Sequence, residues 1–175
     1  MKQTRRLAFS AVFVSIMMVL GYLESLLPVS PVPGIKLGLA NSVLIVSLYW
    51  LGVPISFQIM VVKNVLLGLF LGNPMLIPYS LAGGILSLTL MGLLYRRKGF
   101  SPVGVGMAGG VAHNIGQVAL AMIILHTPSL VFYLGLLMPA GAAMGFVTGT
   151  ISKILAKRFP PTQSAHSRIT KDAKE

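Results

Sequence analysis

Cysteine is absent from this 175-residue sequence, and there are only three acidic residues, Glu24, Asp172 and Glu175. Without thiols there is no disulfide and no thiolate metal site, and cysteine usage gives no hint of redox compartment. A single acid outside the last few residues excludes a carboxylate pair for a proton relay. It also excludes an aspartate-rich cluster that could hold magnesium against a diphosphate. No Gly-x-x-x-x-Gly-Lys-[Ser/Thr] loop occurs, so the chain does not hydrolyse ATP through that machinery. A self-sufficient enzyme is therefore not expected, and neither is a resident cofactor.

What is present is apolar. The chain is 55% hydrophobic and 10% charged, with a mean hydropathy of +0.85. Such a composition does not belong to a soluble domain. It predicts an all-α polytopic membrane protein, long enough for about six spanning helices of roughly 20 residues each. The net charge of +11 could suggest nucleic acid, but the basic residues lie mainly at the ends of apolar runs. That distribution fits membrane topology and not a phosphate-binding face, so no nucleic-acid partner is expected.

In chain order, a basic lead with Lys2, Arg5 and Arg6 precedes a first helix from Leu7 to Tyr22. No small-x-small cleavage site follows it, so it is read as a retained helix and not a signal peptide. Pro28, Pro31 and Pro33 make a stiff connector. The second helix is expected from Leu37 to Leu51, and the turn Gly52-Val53-Pro54 starts the third, which runs to Leu71. The fourth spans Leu76 to Tyr95, the fifth Val103 to Leu125, and the sixth Leu130 to Leu155 with a kink at Pro139. Residues 1–157 thus form a six-helix transmembrane domain, and 158–175 a polar tail expected to lack fixed structure. With both termini cytoplasmic, nearly every basic residue falls inside, and the outer connectors carry only Lys36. The positive-inside rule favours that orientation in a bacterial inner membrane.

The polar residues inside the apolar runs are the candidate site. Lys63 lies about ten residues from either end of its helix, in a run with no acid. A charge at that depth costs about 2.5–3.5 kcal/mol on insertion scales, and a side chain there is too deep to snorkel readily. Asn64 follows it, open between ligand contact and interhelical hydrogen bonding. His113 and Gln117 share a face at i, i+4, flanking Asn114. One His with a Gln is a weak metal signal, and a hydrogen-bonded structural His is an equal reading. Lys36, just after Pro33-Gly34-Ile35, is either an interfacial anchor or a group at the mouth of a cavity. Asn41 ends Gly38-Leu39-Ala40-Asn41 before another apolar run. Glu24 could pair with Lys36 or with Lys63. Lone buried lysines favour an anionic or carbonyl-rich small molecule.

Small residues mark where helices meet. Gly141, Gly145 and Gly149 recur every fourth position, and Gly106, Gly110 and Asn114 do the same on the preceding helix. Such stripes let backbones approach closely within a bundle or against a partner.

The run Pro33-Gly34-Ile35-Lys36-Leu37-Gly38-Leu39-Ala40-Asn41, with Lys63-Asn64 and His113-Asn114, resembles the Gx transporter family. Its members are often labelled heptaprenyl diphosphate synthase component I. The resemblance covers about residues 5–157 and extends to the substrate-binding S components of energy-coupling factor vitamin transporters. It implies an S-component-like fold that captures a small molecule outside and passes it inward with a membrane coupling subunit and ATPase subunits. The label implies a different role, as an accessory subunit of polyprenyl diphosphate or quinone synthesis. In S components a first-helix Ala-x-x-x-Ala pattern docks the partner. Here Ala8 is followed at i+4 by Val12, and Ala11 with Ser15 is the nearest small pair. Ala8, Ala11, Ser15, Gly141, Gly145 and Gly149 are thus the docking candidates, and Lys63, Asn64, His113, Asn114, Gln117, Lys36 and Asn41 the substrate-binding ones.

Overall fold

The structure, a computed structural model, describes residues 2–27, 40, 43–97 and 99–158. The expectations for Lys36, Asn41 and the tail lie outside the described residues. Among the described residues six α-helices occur in order: α1 (Lys2–Ser25), α2 (Leu44–Leu51), α3 (Val53–Phe70), α4 (Leu76–Arg96), α5 (Pro102–Ile124) and α6 (Leu134–Arg158). Among the described residues there is no strand.

The breaks follow local chemistry. Gly52 and Gly72 adopt positive φ of 83° and 62°, which lets the chain reverse after α2 and after α3. Asn73 tightens the second turn by accepting the Met75 N–H at 3.2 Å. Ser101 caps α5, its hydroxyl accepting from Gly104 N at 3.2 Å, and Pro102 takes the first helical position. α1 begins earlier than its apolar run, at Lys2, because nothing between Gln3 and Arg6 breaks a helix. The sixth apolar run opens as a 3₁₀ helix, Pro128–Tyr133, and α6 then continues through Pro139.

Among the described residues five segments are long and apolar enough to cross a membrane: Gln3–Ser25, Val53–Phe70, Leu76–Arg96, Pro102–Ile124 and Pro128–Leu155. The described part of α2 is not among them. Its eight residues rise about 12 Å, against a hydrocarbon core of about 30 Å. α2 is the centre of the fold. The long helices form an arc in the order α1, α3, α4, α5, α6, and α2 lies inside it against all five. Leu44, Ile45, Val46, Ser47 and Leu48 are accordingly all buried, as a helix surrounded on every side must be. The Ser47 hydroxyl bonds the Leu44 carbonyl and the Ser56 hydroxyl, each at 2.9 Å, which satisfies it in that setting.

One end of the bundle gathers most of the basic residues that are described. The Phe9 and Phe13 rings of α1 meet Trp50 edge-on, with centroids at 6.0 and 6.4 Å, and Tyr49 meets Tyr95 of α4 at 4.6 Å. Leu155 of α6 packs on the same apolar cluster, and Gly149 packs against Pro102 and Val103. The start of α1, the α2–α3 turn, the end of α4, the start of α5 and the end of α6 therefore lie together. Arg5, Arg6, Arg96, Arg97, Lys153 and Lys157 belong to these segments. Glu24 is near the other end of α1, buried.

Candidate functional site

Lys63 and Asn64 of α3, with His113, Asn114 and Gln117 of α5, are each 2% exposed or less. Lys63 is about ten residues into α3 and His113 about eleven into α5, which at 1.5 Å per residue puts both near 15 Å from the basic end. That is mid-depth in a core of about 30 Å.

α4 stands between the two helices. Met60, one turn before Asn64, lies against Gly84, where an added Cβ would come within 2.7 Å of the Met60 Sδ. Asn64 Nδ2 contacts that same sulfur at 3.3 Å. On the adjacent side of α4, a Cβ at Gly83 would fall 2.6 Å from the His113 carbonyl oxygen, 2.7 Å from its Cε1 and 2.8 Å from Gln117 Cγ. His113 hydrogen-bonds the Gly83 backbone and lies within electrostatic reach of Lys63. His113 and Gln117 thus pack on Gly83, Met60 packs on Gly84 with Asn64 on its sulfur, and Lys63 acts electrostatically on His113.

Asn114 turns the other way. Its Nδ2 donates to the Leu137 carbonyl of α6, and it sits where a Cβ on Gly141 would clash. A step of about 100° per residue separates it from His113 on the helix wheel. It joins α5 to α6 in the manner common for a membrane Asn. The Oδ1 atoms of both Asn64 and Asn114 are buried without a hydrogen-bond partner. Such acceptors normally find a donor.

Two residues of this region are not among the candidates drawn from the sequence. Ser80 and Ser87 of α4 are buried, and Ser87 Oγ would lie 3.3 Å from a Cβ on Gly109 of α5. The spacing Ser80–Gly83–Ser87 on one helical face could have revealed them. The chemistry assembled here is an ammonium, an imidazole, amides and hydroxyls, suited to holding a small polar molecule. Among the described residues no three His, Cys, Asp or Glu are grouped to hold a metal ion.

The docking candidates separate into two groups. Ala8, Ala11 and Ser15 are exposed on the outer face of α1, with the Ser15 hydroxyl turned back to the Ala11 carbonyl at 2.9 Å. Gly141, Gly145 and Gly149 are buried and face α5: added Cβ atoms would meet the Gly110 carbonyl, the Gly106 carbonyl and the Val103 Cα–Pro102 carbonyl. Of the two readings for these three glycines the structure fits close packing within the bundle and not docking. They line a seam inside the bundle, where α5 covers them, and present no surface to an outside partner.

No curated protein and no solved structure matches the chain. A family profile described as heptaprenyl diphosphate synthase component I matches residues 12–155, a span that includes every buried polar residue named above. The chain belongs to that family.

Proposed function

We propose that the protein is the membrane-embedded substrate-binding subunit of a small-molecule importer, non-catalytic itself and energised by a separate ATPase module. The observation that carries this reading is the polar group at mid-depth, with Lys63 at 1% exposure and within electrostatic reach of His113. Charge in such a place usually marks a ligand or ion path. The ligand is a small molecule with an anionic or carbonyl group. The gathering of α-helix ends at a basic face supports an S-component-like arrangement, with both termini cytoplasmic in the bacterial inner membrane.

The direct test is mass spectrometry of the compound carried through mild purification, followed by its rebinding to stripped protein. A small polar compound that rebinds supports the reading; its absence in every preparation, with no binding of candidate anions, overturns it. Purified alone, the protein is expected to show no ATP hydrolysis. Replacing Ala11 by Leu on the exposed face of α1 is expected to weaken capture of a coupling module while leaving ligand affinity unchanged. Equal loss of both would place Ala11 in fold maintenance.

Orientation has its own check. Single cysteines at Ser101 and Asn73 sit in turns at opposite ends. In intact cells the first is expected to resist an impermeant thiol reagent and the second to react. Labelling at Ser101 from outside would reverse the topology.

The family description favours a second reading, a membrane accessory subunit of polyprenyl diphosphate synthesis. Affinity capture separates the two: a soluble prenyl synthase as the stoichiometric partner supports the accessory role, and an ATPase module supports import.

A further inference from the structure

The basic end of the bundle lies apart from the buried polar group. Cations from three distant parts of the sequence come to it: Arg5 and Arg6 from α1, Arg96 and Arg97 from the end of α4, Lys153 and Lys157 from α6. Between them lie the rings of Phe9, Trp50, Tyr49 and Tyr95, packed edge-on in pairs. Arg5 is held over the Phe9 ring at 5.6 Å. No carboxylate among the described residues lies at this end, since Glu24 is near the opposite end of α1. Arg96, Arg97, Lys153 and Lys157 are exposed, and their positions at helix ends place them at the level of lipid headgroups, where aromatic rings also prefer to sit.

We infer that this end binds the phosphate groups of anionic phospholipids, with the cations from α1, α4 and α6 forming a rim around the aromatic centre. Simple topology needs only that positive charge stay on one side. Here α2 delivers Tyr49 and Trp50 into the middle, so the charges are arranged around one apolar patch. Phosphate oxygens would take the guanidinium and ammonium donors, and acyl chains would lie along the exposed apolar flanks of α1 and α6, which include Val12, Ile16, Ile151 and Ile154.

The test compares thermal melting of the full chain in nanodiscs of phosphatidylcholine alone and of phosphatidylcholine with phosphatidylglycerol. Inorganic phosphate at matched charge is the control for a free-ion site. Two variants, Arg96→Gln with Arg97→Gln and Lys153→Gln with Lys157→Gln, neutralise exposed side chains that do not pack in the core. The wild type is expected to melt several degrees higher with phosphatidylglycerol, each variant to lose most of that gain, and melting in phosphatidylcholine alone to be unchanged. Retention of soluble short-chain phosphatidylglycerol, read by native mass spectrometry, should fall at least tenfold in a variant combining the four substitutions. An equal gain in wild type and variants, no gain in either, or an equal gain from inorganic phosphate would each overturn the inference. So would lipid-independent melting accompanied by capture of an acidic protein through the same four residues.

Discussion

Protein carrying Lys63→Met is expected to insert more readily than wild type and to bind its ligand tenfold to over a hundredfold more weakly. Methionine keeps the length of the side chain and removes a charge that costs about 2.5–3.5 kcal/mol at the centre of a membrane helix. Binding falls because a charge-assisted hydrogen bond is worth about 1.5–3 kcal/mol. Arginine is expected to restore only part of the affinity, since a planar fork does not replace a compact ammonium. The burial of Lys63 at 1% exposure leaves little room for the larger group. Equilibrium binding of the co-purified compound to purified variants, with thermal melting alongside, gives the answer. Unchanged affinity would remove Lys63 from the site, and a collapse in melting without a specific binding defect would make it a structural residue.

The second large effect is expected at the α5–α6 seam. Gly145 faces the Gly106 carbonyl, and Gly110 faces the Gly141 carbonyl, so a methyl at either position meets backbone and not a movable side chain. Gly145→Ala is expected to cost about 1–3 kcal/mol, a fall in Tm of roughly 2–12 °C. Gly145→Leu should prevent the pair from closing and yield little folded protein. Size-exclusion behaviour and thermal melting measure both, with Ala11→Leu on the exposed face of α1 as the matched control. A Gly145→Leu protein that folds normally would show that α5 and α6 do not depend on this contact.

That contrast shows what the sequence could and could not reveal. The five long helices were legible because apolar length and the Pro and Gly breaks act locally. Basic residues at the ends of the runs were legible for the same reason. The depth of Lys63 and His113 followed from counting residues at a fixed rise. Their neighbours did not, because direction around a helix depends on which helix packs where. Asn114 differs from His113 by one residue and faces α6, while His113 faces α4. The glycines of α6 read first as a bundle seam and second as a docking stripe, and the position of α5 decides for the seam. The second helix was expected from Leu37 to Leu51; its described part, Leu44–Leu51, has the run of consecutive buried residues that a central helix needs, and apolarity alone did not reveal that central place. Ser80 and Ser87 were passed over because serine is small and common in membrane helices.

The Gly83-Gly84 pair has a consequence for the spacing of the helices on either side of α4. At the level of Lys63 and His113, α4 offers bare backbone to Met60 on one side and to His113 and Gln117 on the other. The distance between α3 and α5 at this level is therefore gauged by the thickness of a polypeptide backbone, the least adjustable dimension available in a protein. A side chain in that place could swing aside; a main chain cannot. A change in the tilt of α4 would accordingly act on the polar residues of both neighbouring helices at once.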